Sequence, residues 1–239
     1  MLYVAVIAFV MLVIERLVRA RSFPSRRDWY RRAVALNVIQ VIVAYVGTMT
    51  WDVLMQDHRW YVFDGSPLSG ALIGYLTITF IYYWWHRARH QNEILWRVFH
   101  QVHHSPSRLE LVTSFYKHPL EVVANGLLSS AILYLLVGLS PELAAVVVAM
   151  TGVAELYYHW NVRTPYWTGF LFQRPEMHCI HHEAGQHRNN YSDLPLWDLL
   201  FGTFSNPHHS SFVCGFTERR ERQLGAMLLA RTVEDESHA

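Results

Sequence analysis

The sequence predicts an all-α protein, a polytopic membrane helical bundle of about four or five membrane-embedded helices with a cytoplasmic histidine-rich helical cap. Of its 239 residues, 52% are hydrophobic and only 16% are charged. A fully disordered chain is excluded, because disorder requires low hydrophobicity and high charge. The apolar residues gather in long uncharged stretches, and ten of the 15 histidines fall between positions 86 and 182 in groups with helical spacing.

The first four apolar stretches follow one another along the N-terminal part of the chain. Residues 1–14 lack the basic region and the cleavage site of a signal peptide, so we expect a retained first membrane helix. Residues 33–51 and 65–85 are long enough to span a bilayer, and the second of these stretches carries no charge over 21 residues. Residues 122–141 are again uncharged.

A fifth helix is predicted from 143 to about 154. Ser140, Pro141 and Glu142 have the pattern of an N-cap, a proline at the first helical position and an acidic first turn. The fourth and fifth stretches therefore predict a helical hairpin. A large buried helical domain is the alternative, because the mean hydropathy is only +0.10 and the first and fifth stretches are short for spanning a membrane.

A run of arginines after the first stretch sets the expected orientation. The run consists of Arg16, Arg19, Arg21, Arg26, Arg27, Arg31 and Arg32. A short loop rich in arginine stays cytoplasmic by the positive-inside rule, and following the stretches from this loop places every histidine group on the cytoplasmic side. Nucleic-acid binding is the weaker interpretation, because the formal net charge is only +1. We therefore expect a membrane protein with no nucleic-acid partner.

The histidines form three groups whose spacing matches the turns of a helix. Residues at i, i+3 and i+4 project from neighbouring parts of one helix surface. The groups are His86 with His90, then His100 with His103 and His104, and finally His178 with His181 and His182. Two further candidates, His118 and His159, stand alone in the sequence.

Metal binding is the interpretation that best accounts for these groups. Buried imidazoles without a metal would each need a hydrogen-bond partner, and the sequence has no opposing carboxylate for each. The grouped imidazoles exceed the three or four ligands of one tetrahedral site, so two metals are expected. Imidazole admits iron, zinc, copper or nickel. Surface or pH-sensing histidines and a haem protein are weaker alternatives, since haem ligands would lie inside the apolar stretches.

The neighbours of the histidines resemble those of a known family. The matching elements are Tyr83-Trp84-Trp85-His86-Arg87, His104-Ser105, His118-Pro119-Leu120-Glu121, His159-Trp160-Asn161-Val162-Arg163, Asn190-Tyr191 and Trp197-Asp198-Leu199-Leu200-Phe201-Gly202-Thr203. Over roughly residues 66–204 the chain resembles the fatty acid hydroxylase/sterol desaturase superfamily of membrane di-iron oxygenases, and several ordered motifs are more specific than one. The three histidine groups correspond in order to the first, second and third histidine boxes of this family. The third box departs from the family pattern, because His187 and Asn189-Asn190-Tyr191-Ser192 stand in place of the more usual Asn-Tyr-Gly ending.

The resemblance implies two iron ions, O2 as a co-substrate and a lipid substrate from the bilayer. Zinc could replace iron in a purified sample. The matching metal ligands are His86, His90, His100, His103, His104, His159, His178, His181 and His182, with His118 either a further ligand or a support for one. Carboxylates near the boxes could accept the second ring N–H of a ligand, and the candidates are Glu155, Glu121 and Asp198.

The chain divides into three expected parts. Residues 1–65 hold the N-terminal membrane helices and the basic loop, and residues 66–204 form the fatty acid hydroxylase-like di-iron domain. Residues 205–239 form a C-terminal tail, whose acidic run 234–236 we expect to be solvated or frayed. The preponderance of arginine over lysine, with no eukaryotic retention signal at 237–239, favours a bacterial inner membrane.

The expected activity is hydroxylation of a lipid C–H bond by O2 and external electrons. The electrons come from a separate donor protein in this interpretation, because no stretch looks like a flavin, ferredoxin or haem domain. Desaturation at the same site is an alternative. A zinc-dependent lipid hydrolase and a non-catalytic metal-binding membrane protein are two further alternatives, and neither would consume oxygen.

Overall fold

The computed structural model describes residues 2–186, 188–209 and 213–233, and within these ranges the chain is helical without strands. The α-helices are α1 (Leu2–Leu17), α2 (Trp29–Met49), α3 (Trp51–Asp57), α4 (Pro67–Gln91), α5 (Glu93–Leu95), α6 (Gln101–His104), α7 (Pro119–Ser130), α8 (Pro141–His159), α9 (Pro175–His181), α10 (Pro195–Leu200), α11 (Glu218–Glu221) and α12 (Leu224–Leu228). π-helices occupy Trp96–His100 and Ala131–Leu136, and 3-10 helices occupy Leu111–Thr113 and Tyr166–Phe170. The all-α prediction is confirmed. The acidic run 234–236, residues 237–239 and His187 lie outside the described residues.

Two segments of the described chain are long and apolar enough to cross a membrane. One is Trp29–Asp57, where α2 and α3 follow each other, and the other is Pro119–Leu136, where α7 continues into a π-helix. They correspond to the second and fourth stretches predicted from the sequence. The other three stretches form α1, α4 and α8, which do not meet the same combined criteria of length and composition. The total number of membrane spans therefore stays a prediction.

The helices that lead to the histidines begin at capping residues. Ser140 precedes Pro141 at the start of α8, and its hydroxyl accepts a hydrogen bond from the backbone N–H of Leu143 at 3.4 Å, as the sequence predicts. Ser66 caps α4 in the same way and accepts from the N–H of Ser69 at 3.2 Å. Each cap satisfies a backbone donor that has no partner within the helix, so both helices start at defined residues.

Helices α4 and α8 pack side by side and run in the same direction. A Cβ added to Gly70 would lie 3.0 Å from Leu143, and one added to Gly74 would lie 2.9 Å from Val147, so the pairing advances by four residues along both helices. The two backbones approach this closely because glycine has no Cβ. Since the helices are parallel, their C-terminal ends lie at one end of the bundle, where both carry predicted metal ligands.

Residues 213–233, which the sequence assigns to a C-terminal tail, pack against the rest of the chain. Met227 is fully buried in a core cluster that joins α2, α6 and α12. The buried carboxylate of Glu221 accepts hydrogen bonds from Arg32 Nη2 and Ser107 Oγ, each at 2.8 Å. A buried carboxylate is stable only with such partners. The polar composition of this segment gave no indication that it packs against the helices. Some of its charged side chains, such as Glu221, are buried and paired.

Candidate metal centre

Nine of the ten predicted ligands converge in two groups at the end of the bundle. The five-histidine group contains His86, His90, His100, His104 and His181, and the four-histidine group contains His103, His159, His178 and His182. Within each group, the ring nitrogens that can act as ligands lie within 4.8 Å of one another. Two sites are therefore built almost wholly from the residues that the sequence singles out.

Four helical elements deliver these side chains. The end of α4 carries His86 and His90, and α8 ends on His159. The second box lies where the π-helix Trp96–His100 passes into α6. The third box lies at the end of α9, which begins at Pro175, with His182 as the C-cap. π-helical turns are frequent at functional sites, because they shift the side chains that follow them around the helix axis.

The second and third boxes each contribute to both groups. In the second box, His100 and His104 join the five-histidine group while His103 joins the four-histidine group. The third box reverses this assignment, because its first and last histidines join the four-histidine group and its middle one joins the five-histidine group. Residues at i and i+4 share a helix face, whereas i+3 projects to one side of it. The two groups adjoin, since the rings of His104 and His182 stack with centroids 4.1 Å apart.

The outer nitrogens of four histidines meet backbone carbonyl groups. The pairs are His86 Nδ1 with Tyr191 (2.8 Å), His103 Nδ1 with Tyr116 (3.3 Å), His159 Nδ1 with Glu155 (2.9 Å) and His181 Nδ1 with Asn189 (2.8 Å). A carbonyl oxygen only accepts, so each Nδ1 carries the proton and each neutral ring keeps its lone pair on Nε2. These contacts fix the tautomer that a metal at Nε2 requires.

The inner nitrogens face one another. His86 Nε2 lies 2.9 Å from His100 Nε2, and His178 Nε2 lies 3.1 Å from His159 Nε2 and 3.0 Å from His182 Nε2. Contacts at Nδ1 with the Tyr191 carbonyl and the Glu121 carboxylate place the proton of His86 and His100 on Nδ1, so their Nε2 lone pairs face each other and repel. A cation between the two nitrogens removes this repulsion. The nitrogen donor set and its burial therefore fit a divalent metal of the class that imidazole binds.

Burial favours the neutral form of three rings of the four-histidine group. It lowers the pKa of His159 to about 3 and lowers the pKa of His103 and His178 well below the usual histidine range. Neighbouring imidazoles add to the effect at His103 and His178, because a second positive charge in the same site is unfavourable. At neutral pH the rings are thus ready to act as ligands.

Glu121 contacts a predicted ligand directly through its carboxylate. Its Oε1 accepts a hydrogen bond from Nδ1 of His100 at 3.1 Å and also forms an ion pair with Arg89. All three side chains are buried. This contact is of the kind expected for an acidic residue beside a histidine box, and support of a metal ligand by Glu121 stays a prediction. The burial of Arg89 was not predicted.

The other two predicted carboxylates act differently from the expectation. The backbone carbonyl of Glu155, and not its carboxylate, accepts from His159, while the carboxylate pairs with Lys117. Asp198 accepts the backbone N–H groups of Tyr191 and Ser192 at 2.8 and 3.1 Å. Asp198 therefore orders the loop whose carbonyl groups contact Nδ1 of His86 and His181. The spacing of these acids from the histidines could not distinguish side-chain from backbone contacts.

His118 lies outside both groups. It is the N-cap of α7, where its Nδ1 accepts a hydrogen bond from the N–H of Leu120 at 3.0 Å. Its Nε2 then carries the proton and donates to the carbonyl of Leu228 in α12 at 3.2 Å. This tautomer is the opposite of the one that the carbonyl contacts select in the two groups. The structure gives His118 a capping contact and a contact with the C-terminal segment, and no place among the nine converging rings.

The loop after the third box takes a conformation that its two asparagines permit. Asn189 and Asn190 both have positive φ, at 65° and 54°, a region that asparagine tolerates better than most residues. The amide of Asn190 donates to the carbonyl groups of Met177 and Ser205, each at 2.9 Å. The turn after the third box, where the sequence departs from the family pattern, thus connects α9 to the segment after α10 through Asn190. The backbone carbonyl groups of this loop contact histidine rings, and a backbone contact cannot be recognised from the side chains in a sequence.

Comparison with known proteins places most of the chain in one family. A sequence model of the family described as "Fatty acid hydroxylase" matches residues 71–203, a range that contains both histidine groups. The ornithine lipid hydroxylase OlsE of Rhizobium tropici is 33% identical over 161 residues, which cover 64% of this chain and 47% of that protein. The sphingolipid C4-hydroxylase sur2 of Schizosaccharomyces pombe is 27% identical over 129 residues, which cover 52% of this chain and 44% of that protein.

A similarity of the same order extends to an animal protein. The alkylglycerol monooxygenase of Homo sapiens is 28% identical over 134 residues, which cover 54% of this chain and 29% of that protein. The chain thus spans about half the length, or less, of these three relatives. No solved structure matches the chain.

Proposed function

This chain belongs to the fatty acid hydroxylase family, and from that membership we propose that it is a membrane-bound di-iron oxygenase. It uses O2 and electrons from an external donor protein to hydroxylate a C–H bond of a lipid. The observation that carries the proposal is the pair of adjoining histidine groups, whose inner nitrogens face one another. The names of the three relatives, two lipid hydroxylases and one monooxygenase, support the reaction class.

The nine grouped histidines would hold the two irons, one in each group. Bound iron supplies the activation of dioxygen that removal of hydrogen from an unactivated carbon requires. Burial favours the neutral form of the rings, and the carbonyl contacts at Nδ1 direct Nε2 of His86, His103, His159 and His181 inward. Such fixed positions matter, because small displacements of reacting groups reduce rates steeply.

The substrate is a lipid that reaches the centre from the bilayer. The apolar segments Trp29–Asp57 and Pro119–Leu136 support membrane anchoring, because both are long enough to cross it. The arginine-rich loop at 16–32 supports a cytoplasmic position for the metal centre. The preponderance of arginine over lysine favours the bacterial inner membrane as the location.

Metal analysis of the purified protein tests the proposal. We expect about two irons per chain after expression with iron, and about one in variants that change only one group, such as His86→Ala with His90→Ala or His159→Ala with His178→Ala. A variant that combines His103→Ala and His181→Ala removes one ligand from each group and is expected to lower both occupancies. His58→Ala is the matched control, because His58 is exposed and lies outside both groups.

Isotope labelling then tests the reaction itself. With 18O2, a reductase system and membrane lipids, one labelled oxygen atom is expected in the lipid product of the iron-loaded protein. Protein without stoichiometric metal would contradict the proposed centre. Lipid hydrolysis by zinc-loaded protein without O2 or a reductant would instead favour the hydrolase.

A further inference from the structure

An exposed apolar surface lies next to the metal centre, outside the two segments that qualify as membrane spans. It is formed by residues 166–172 and 195–201 together with Phe80 and Trp84 of α4, and we call it the apolar shelf. Trp167 and Leu200 are each 63% exposed, and Leu171 is 54% exposed. Large exposed apolar patches of this kind mark surfaces that meet another apolar phase.

The shelf contains almost no charge. Residues 165–173 include no Asp, Glu, Lys or Arg, and residues 194–204 include only Asp198. That carboxylate is buried and accepts hydrogen bonds from Tyr191 and Ser192, so it does not contribute a charge to the surface. Trp and Tyr among apolar side chains are typical of the boundary between membrane and water, because their rings combine an apolar body with a polar group.

The shelf is continuous with the outer face of α4. The rings of Phe80 and Trp197 lie 5.0 Å apart, and those of Trp84 and Phe201 lie 4.8 Å apart. Earlier turns of α4 also carry exposed apolar side chains, among them Leu72. One apolar strip therefore runs along the stretch predicted to cross the membrane and onto the shelf. This continuity favours lipid over a soluble protein as the phase that covers the shelf.

Arginines border the shelf on the side of the five-histidine group. The guanidinium of Arg87 lies 5.5 Å from the ring centroid of Trp84 and donates to the hydroxyl of Tyr83 at 3.0 Å. Arg87 and Arg188 line a surface pocket whose lining also includes His90. An arginine at the edge of an apolar surface places its charge at the level of lipid phosphates while its stem stays in the apolar region.

We propose that the apolar shelf inserts into the membrane leaflet beside the metal centre, with Arg87 and Arg188 at the depth of the lipid phosphates. The pocket that leads towards His90 then opens at headgroup depth, where a bilayer lipid can reach it without entering bulk water. The inserted surface orients the histidine groups relative to the membrane. Insertion of the apolar shelf into the leaflet does not depend on which metal the histidine groups bind or which reaction they support.

Spin labels on single introduced cysteines in proteoliposomes measure this depth. The test positions are Trp167→Cys and Leu200→Cys, with Leu171→Cys and Leu196→Cys as second variants should either of the first fold poorly. The native thiols of Cys179 and Cys214 are buried, and the labelled wild type serves as the blank. Val38→Cys on the exposed face of α2 is the lipid control, and Arg222→Cys next to α11 is the water control.

We expect labels on the shelf to collide more with O2 than with a water-soluble nickel chelate, as at position 38. A label at position 222 is expected to collide more with the nickel chelate than with O2. For a label at Arg188→Cys we expect a ratio of the two collision rates between those at positions 38 and 222. Shelf labels as accessible to nickel as position 222 would overturn the proposal, and so would dipolar coupling between labels that indicates a second copy on the shelf. Metal content measured on each variant reports whether the fold is intact, and its absence in the wild type would defeat the di-iron proposal without changing the depth result.

Discussion

The two histidine groups have similar ligand atoms but differ in their distance from the protein surface. Every member of the four-histidine group is buried, whereas His86 and His90 in the five-histidine group are only partly buried. His90 also lines a surface pocket together with Arg87 and Arg188. The five-histidine group therefore lies nearer to the protein surface than the four-histidine group, which is enclosed by protein.

The supports of the two groups differ as well. His100 in the five-histidine group contacts the buried carboxylate of Glu121, which is paired with Arg89. Both groups have backbone carbonyl contacts, at His86 and His181 in one and at His103 and His159 in the other, so the carboxylate of Glu121 is the difference. A carboxylate increases the basicity of the ring more than a neutral carbonyl does, so the two sites are expected to respond differently to changes around them.

The largest effect is expected from His178→Ala, at the centre of the enclosed group. Its Nε2 faces two other ring nitrogens at 3.1 and 3.0 Å, so the variant removes the ligand that links them. We expect the loss of about one metal per chain and of all measurable lipid hydroxylation. His90→Ala is the matched change in the other group and is expected to leave the enclosed metal in place. Mass spectrometry measures the metal content per chain and the amount of hydroxylated lipid. Two metals retained in His178→Ala would contradict the role of His178 as a ligand.

Metal removal by a chelator is expected to occur in two phases of different rate. The five-histidine group is expected to lose its metal first, because His86 and His90 are partly exposed and His90 lines the surface pocket, so a smaller opening of the fold admits the chelator. The enclosed group follows in the slow phase. Stopped-flow absorbance of the chelator complex gives both rates. His90→Ala should accelerate or remove only the fast phase, and a single phase in the wild type would show that the groups do not differ in access.

A smaller change is expected from Glu121→Gln, which keeps the size of the side chain but removes its charge. The variant weakens the contact with His100 and leaves Arg89 without its ion-pair partner. Loss of such a support typically lowers metal affinity roughly 10- to 100-fold, and here the loss should be confined to the five-histidine group. Competition titration with a metal indicator measures it. Glu142→Gln at the exposed start of α8 is the control, and an equal loss there would contradict the proposed role.

The smallest effect is expected at His118, the histidine outside both groups. His118→Ala removes the N-cap of α7 and should lower the free energy of unfolding by about 1 kcal/mol, with metal content unchanged. His118→Asn retains a capping acceptor and should recover much of that stability. Thermal unfolding in detergent and metal analysis report the two quantities. Loss of a metal in both variants would instead make His118 a ligand.

The sequence predicted the helical class because the apolar stretches, the caps and the histidine spacing are local features. Ser140 and Pro141 begin α8 as their pattern indicates, and the boxes lie on helical elements. The number of membrane spans was less predictable. The helix α4 is long enough to cross a membrane but does not meet the combined criteria of length and apolar composition that Trp29–Asp57 and Pro119–Leu136 meet. The packed segment 213–233 also escaped prediction, since the partners of Glu221 lie more than 100 residues away in the chain.

By itself, the sequence determined which residues are candidates to supply donor atoms, because imidazole chemistry and helical spacing can be read from the residues. Only the tertiary structure decided how those residues divide into two sites, since the division depends on where four helical elements converge. It also decided that His118 caps a helix and that carbonyl groups such as those of Tyr191 and Asn189 orient the rings. Every residue has a carbonyl group, so only the folded chain selects which of them meet a histidine.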